Sequence, residues 1–218
     1  MRILVITNCT KEKRYNPRSK PIVDVLRKHN LPIPTTNYEL LHVYEEVLKD
    51  YMLPAFDMYM GTFLVVRNFV SKLRRLGYSV DLYIVTIPYG LVPDYMKIIP
   101  YDTNLDVMSN NKIPKRVVEK WREKFEPLFR KHILNRHHDV GIVILTERWM
   151  KLFLDYINLL TNCGKLIVVA KSKYKMFIKH PNLEFYPING ILMRNKVVKE
   201  LGKKFELMKQ ISLMNFLN

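Results

Sequence analysis

Residues Leu82–Asp102 read LYIVTIPYGLVPDYMKIIPYD, and this stretch decides the fold. It opens with an apolar run, Leu82–Ile87, of the kind a strand buried on both faces requires. Pro88 breaks the run because it has no N–H to give a ladder. Tyr89-Gly90 supplies a turn in which glycine can take a positive φ. Pro93 fixes the exit, and Pro100-Tyr101-Asp102 closes the segment. A buried strand ending in a rigid loop that carries Tyr and Asp is how α/β proteins present chemistry. The same residues also fit an ordinary strand-to-loop transition with Tyr89 and Tyr101 packed as amphipathic core.

Working outward, Arg2–Thr7 reads as a second buried strand, ending at Asn8-Cys9-Thr10. Further on, Asp139–Thr146 and Lys165–Ala170 are apolar runs of strand length, and Leu183–Pro187 reads as a short edge strand. Helical patterns lie between them. One spans Pro21–Lys28. Thr36 and Glu39 have capping-box spacing ahead of the amphipathic stretch Leu40–Leu48. A third, Thr62–Leu76, buries Phe63, Val66, Phe69, Val70 and Leu73 and stops at Gly77. Residues 108–113 read as a polar loop, after which Pro114 starts a long helix with Trp121, Phe125 and Phe129 on its apolar face. Another helix runs from Glu147 to Asn162, and the remainder is helical and basic, with a break expected at Gly202. Strands alternating with helices predict an α/β fold: a mostly parallel sheet of four or five strands with helices on both faces. No composition shift, linker or repeat divides the chain, so residues 1–218 read as a single domain.

Composition narrows the function classes. Nearly half of the 218 residues are hydrophobic, at 48%, enough for a substantial core. Two cysteines, Cys9 and Cys163, are too few for a disulfide framework, and no Cys/His spacing suits zinc, so no metal site is predicted. The apolar start, MRILVITN, is too short for a signal peptide, and no run reaches membrane-spanning length. A soluble, cytoplasmic protein is expected, with no membrane partner. The formal net charge of +16 draws polyanions through phosphate contacts and counterion release, which predicts tRNA or DNA as a partner. The scarcity of alanine, only Ala55 and Ala170, also fits an AT-rich genome, in which surplus lysine needs no nucleic acid to explain it.

Candidate site residues cluster where predicted strands end. Lys11–Lys20 is a basic loop following the first strand, with Tyr15 within it. Lys13 or Lys11, in an apolar-walled pocket, can act as nucleophile or base with a lowered pKa. Cys9 is a second candidate nucleophile, although buried inert cysteines are the commoner case. Asp102 or Glu147 can position a proton, and Tyr89 or Tyr101 can stack on a base. Lys11, Tyr15, Pro88 and Gly90 join Tyr89 and Tyr101 as candidate nucleobase- and phosphate-binding residues. Tyr59 and Gly61 flank a helix entrance, where Gly61 either admits a phosphate or base near the backbone or serves a plain turn.

Two stretches together resemble a known family. NCTKEKRY, Asn8–Tyr15, is similar to the Pro-Cys, three-residue gap, Lys-Pro-Tyr motif of the core domain of archaeosine synthase, a tRNA-modifying enzyme. IPYGLVPDYMKIIPYD is similar to that domain's Pro-Leu-Gly-x-Val-Pro segment and its later Tyr-Asp pair. The central pattern, with Tyr59-Met60-Gly61 upstream, also resembles the YaaA-like proteins of peroxide stress and DNA protection. Cys9, Lys13 and Tyr15 match the first motif; Pro88, Gly90, Val92, Pro93, Tyr101 and Asp102 match the second. Asn8 and Arg14 stand where the motif has proline, Ser19 is displaced by one position, and no histidine follows it. The likeness covers roughly the first half of the chain, and the accompanying transglycosylase barrel and RNA-binding appendage have no counterpart here. The resemblance implies a nucleobase site in a protein associated with nucleic acid.

Three functions fit these readings: an enzyme acting on a base in tRNA or DNA, a non-catalytic nucleic-acid-binding protein, and a receptor for a free nucleotide. None of them names a cofactor or an oligomeric state.

Overall fold

A computed structural model describes residues 1–36, 38–103 and 114–217; the stretch 108–113, expected as a loop, lies outside them. In chain order the elements are β1 (Arg2–Asn8), α1 (Lys20–Lys28), α2 (Leu41–Val47), β2 (Leu53–Pro54), α3 (Ala55–Met58), α4 (Phe63–Arg75), β3 (Ser79–Thr86), β4 (Gly90–Pro93) and β5 (Lys97–Ile98). They continue with α5 (Lys115–Phe129), β6 (His138–Ile144), α6 (Glu147–Ile157), β7 (Cys163–Ala170), β8 (Leu183–Pro187) and α7 (Ile191–Leu217). Six strands form one sheet in the order β4-β3-β1-β6-β7-β8, and β2 pairs with β5 apart from it. The pairs β1–β6, β6–β7 and β7–β8 are parallel, whereas β3–β4 is antiparallel.

The fold is therefore α/β and mostly parallel, but the expectation of four or five strands is corrected to six. The additional strand is β4, in a stretch whose glycine and prolines predict a rigid loop. Gly90 adopts φ 74 and reverses the chain, so that Leu91 and Val92 pair with Val85 and Ile84. A proline at the end of a short edge strand costs no ladder bond, which is why Pro93 is tolerated there.

The chain divides into two compact units. The first comprises Met1–Thr7, Leu64–Leu82 and Arg136–Asn218. Its parallel strands are apolar on both faces: Ile3, Leu4, Val5, Ile142, Val143, Leu166 and Val168 are all buried. Within α4, Val66, Phe69, Val70 and Leu73 are buried at the helical period, and Gly77, at φ 83, ends the turn that follows. Two expectations are corrected here. The helix α6 stops at Ile157, before Asn162. The helix α7 continues through Gly202 without a break. A glycine inside a helix costs about 1 kcal/mol relative to alanine, less than the several kcal/mol from burying Val198, Leu201 and Phe205 on either side of it. Phe69 and Lys72 pack 3.6 Å from where a Gly202 Cβ would stand.

The second unit comprises Asn8–Phe63 and Tyr83–Asn135. The expected capping box is not made: Leu40 stands at the N-cap of α2, and no side chain caps it. Glu39 instead pairs with Lys120 of α5, and Tyr38–Leu40 form a short 3-10 turn. The buried face of α5 carries Trp121, Phe125 and Phe129, whose rings stack at centroid distances of 4.5 and 5.2 Å. Its backbone runs against the β3–β4 turn so closely that a Cβ on Gly90 would lie 2.8 Å from the Phe125 amide nitrogen. Gly90 is thus required twice, for its positive φ and for this close approach.

Candidate functional site

The candidate site lies entirely in the second unit. At the carboxyl end of β1 the Cys9 amide donates to the Val85 carbonyl at 2.9 Å, which ties the start of the basic loop to β3. The loop is then pinned along residues 58–60. Arg14 N–H donates to Met58 O at 2.7 Å, Met60 N–H to Glu12 O at 3.0 Å, and Lys13 and Tyr59 form an antiparallel bridge. The Thr10 hydroxyl adds a bond to Met60 O at 2.9 Å. Asn16-Pro17-Arg18-Ser19 closes the loop as a turn, in which Asn16 accepts from the Arg18 and Ser19 amides, each at 2.9 Å. The bridge sets the Lys13 side chain on the side opposite those of its neighbours Glu12 and Arg14. Lys13 points inward, while Lys11, Glu12 and Arg14 stay exposed.

Lys13 is 9% exposed. Its ammonium donates to Thr10 O at 3.0 Å and to Lys11 O at 3.2 Å, and it sits 4.1 Å from the Tyr101 ring centroid and 5.8 Å from that of Tyr59. A desolvated cation over an aromatic face gains about 2 kcal/mol. Loss of hydration outweighs these contacts. Burial lowers the Lys13 pKa to about 8, although the charges that Cys9 and Asp102 carry when ionised pull it upward.

Beneath the ammonium lies a row of buried hydroxyls. Tyr59 and Tyr101 share a bond of 2.7 Å between their hydroxyls, and Tyr101 bonds in turn to the Thr86 hydroxyl. Burial raises the pKa of both phenols well above the ordinary value, and an ionised Cys9 raises both further, so they stay protonated. Cys9 is fully buried within this floor. In the described residues it forms no disulfide.

Above the floor opens a cleft of about 1060 Å³ lined by Lys11, Lys13, Arg14 and Arg18, with Glu12 and Asp102 as its carboxylates. Asp102 is held by Arg18 and by its own amide, which donates to Pro34 O at 2.8 Å. Glu12 lies over Gly61, where a Cβ would stand 2.6 Å from Glu12 Oε2. Gly61, at φ 61, lets the backbone turn and leaves that carboxylate its place.

Among the residues singled out from the sequence, Lys11, Lys13 and Asp102 line the cleft, and Cys9, Tyr59 and Tyr101 form the floor with Lys13. Gly61 seats Glu12. Tyr15 packs edge-on against Tyr51 at 5.6 Å and is 37% exposed. Pro88, Tyr89 and Gly90 are buried, and Gly90 lies against α5. The Tyr89 hydroxyl accepts from the Ile99 amide at 3.2 Å and interacts with Glu45; its pKa is raised, chiefly by burial. Glu147 belongs to the first unit, where Lys171 and Lys173 pair with it and hold its carboxyl below the ordinary range. Thr86 and Glu12 are not among the residues singled out from the sequence, where Arg18 figures only as one cation of the basic loop. A signal for Thr86 exists, since it is the one aliphatic hydroxyl inside the apolar run Leu82–Ile87.

Among the described residues, no three His, Cys, Asp or Glu side chains are grouped as metal ligands, and no helix is long and apolar enough to cross a membrane. Compared with protein-family models, with curated proteins and with solved structures, the chain gives no significant match.

Proposed function

We propose that the Lys13 cleft receives a nucleotide within tRNA or DNA, and that the protein is a base-processing enzyme in which Lys13 is the reactive amine. The observation that carries this reading is a buried lysine of lowered pKa at the floor of a cleft rimmed by exposed cations. With a pKa of about 8, roughly a tenth of Lys13 is unprotonated at pH 7, whereas an ordinary lysine has only a few parts in ten thousand. An unprotonated amine can serve as general base or as nucleophile. Lys11, Arg14 and Arg18 supply phosphate contacts at the rim, in keeping with the net charge of +16. Asp102 is placed to accept or return a proton, and the protonated phenols of Tyr59 and Tyr101 keep the floor free of negative charge. The resemblance of Cys9, Lys13, Tyr101 and Asp102 to residues of the archaeosine synthase core and the YaaA-like proteins points the same way.

The rival reading is a binding module without chemistry. It draws on the two backbone carbonyls that hold the Lys13 ammonium, since a structural cation would be held in the same way. The two readings separate in one experiment. Wild-type protein and Lys13→Arg are incubated with tRNA and with DNA, and the digested nucleosides are analysed by mass spectrometry. An arginine keeps the charge but does not deprotonate. The enzyme reading expects a modified nucleoside with wild-type protein and none with Lys13→Arg, at nucleic-acid affinity within about twofold. If wild-type protein alters no nucleoside, the binding-module reading stands in its place.

A further inference from the structure

The β8 edge of the sheet, in the first unit, carries a surface independent of the Lys13 reading. The strand β8 pairs only with β7. Its register is one-to-one from Leu183 to Pro187, so no bulge interrupts it. The Leu166 amide donates to Asn182 O at 3.1 Å, and the Ile188 amide to Ala170 O at 2.9 Å. In a parallel ladder those bonds commit Glu184 and Tyr186 to β7. Leu183 and Phe185 therefore direct their N–H and C=O groups away from the sheet, and Pro187 directs its carbonyl the same way. Among the described residues, no backbone group pairs with them. Natural edges are blunted by lysine, proline or a bulge. The strand reads LEFYP: it has no lysine, and its one proline stands last.

This pattern is complementary to itself. With Phe185 on a two-fold axis, two antiparallel copies of β8 exchange both Phe185 hydrogen bonds. Each Leu183 amide then meets the carbonyl of the partner's Pro187, and only the Leu183 carbonyl, opposite a proline nitrogen, is left to water. The side chains favour the same register. Phe185 lies opposite the partner's Phe185, and Glu184 opposite the partner's Tyr186, so no like charges meet. A register centred on Glu184 would set two carboxylates opposite each other, and one centred on Tyr186 would set Phe185 against the proline. Lys165 and Lys204 are both paired with Glu184, which limits the charge that two copies bring together. The 3-10 turn Ser172–Phe177, which touches β8, leaves Met176 78% and Phe177 52% exposed, so apolar surface stands beside the edge. We infer that two copies of this chain join through β8, as an antiparallel pair centred on Phe185 that continues the sheet from one protomer into the next.

The test follows the full chain, free of nucleic acid, by sedimentation velocity from about 1 to about 200 µM, in about 0.3 M salt to screen the net charge of +16. A monomer–dimer equilibrium is expected. Phe185→Pro removes the N–H on the axis, which the chain's own ladder does not use, and is expected to weaken dimerisation at least about tenfold. Because Phe185→Pro can fail to fold, amide hydrogen exchange of the wild-type protein supplies a second measurement. The Leu183 and Phe185 amides are expected to exchange at least about tenfold more slowly at the high concentration than at the low one. The Glu184 and Tyr186 amides, bonded to β7, should change little. A monomer over the whole range, a dimer whose Phe185 amide exchanges as fast as the monomer's, or a folded Phe185→Pro that dimerises as tightly as wild type would each overturn the assignment.

Discussion

The ammonium of Lys13 sits 4.1 Å above the centre of the Tyr101 ring. These two residues come from different loops, one following β1 and the other following β5. Their contact turns a basic loop into the floor of a cleft. Without Tyr101 beneath it, Lys13 would be one more solvated cation among Lys11, Arg14 and Arg18.

The first prediction follows from the lowered Lys13 pKa. The folded protein releases this proton near pH 8, while the unfolded chain holds it until about 10.5. Between those values the unfolded state binds more protons, so stability rises with pH through that window. Below it, the burial cost of the ammonium is fully present. Relative to Lys13→Met, the wild-type protein should gain about 2 kcal/mol between pH 7 and pH 9.5. Urea unfolding of both proteins at the two pH values measures the difference; a parallel response of the two proteins would refute a buried titrating lysine.

The second concerns the hydroxyl row. Tyr101→Phe removes the group to which both Tyr59 and Thr86 bond, and it should cost about 1–3 kcal/mol. Adding Tyr59→Phe should cost less than it does alone, because the two hydroxyls already share one bond. A double-mutant cycle by denaturant unfolding gives the coupling, and strict additivity would show that the row is not a unit.

A third contrasts two glycines that both have positive φ. Gly77 has no heavy atom within 4 Å of a would-be Cβ, so Gly77→Ala should cost about 1–2 kcal/mol from the backbone alone. Gly90→Ala adds a collision with the α5 backbone at 2.8 Å. Its cost should exceed that of Gly77→Ala by at least about 1 kcal/mol. Thermal unfolding of the two variants settles the order, and equal midpoints would contradict the packing of α5 on this turn.

How much of this was legible in the sequence differs between strands and site. The buried strands announce themselves as apolar runs, so β1, β3, β6, β7 and β8 were all expected near their observed bounds. The strand β4 was not, because Gly90–Pro93 is short and proline-terminated and gains its identity only by pairing with β3. The Thr36/Glu39 pattern has the right spacing for a capping box, yet Glu39 has a stronger claim on Lys120, far along the chain. Lys13 stands out in the sequence as a candidate for an apolar-walled pocket, but Lys11 fits that expectation equally well. Nothing local distinguishes Lys13 from its cationic neighbours; the bridge to Tyr59 is what turns its side chain inward. Glu147 was read correctly as following a strand end, but its own partners, Lys171 and Lys173, follow β7 and belong to the first unit. A strand's end can be seen in one segment, whereas the set of ends that share a site is a property of the tertiary fold.

The central claim is that the cations rimming the Lys13 cleft hold nucleic-acid phosphates. It is tested most directly by the affinity of a labelled single-stranded RNA oligomer, measured by fluorescence anisotropy from 50 to 200 mM salt. Wild-type protein is compared with the double variant Lys11→Gln/Arg14→Gln, whose substitutions lie on exposed loop positions. Each phosphate contact contributes about 0.7 to the slope of log affinity against log salt for single strands. Weaker binding by the double variant, with a slope shallower by about 1.4, is the expected result. An unchanged affinity and slope would place the phosphate contacts elsewhere on the protein and contradict the assignment of this cleft.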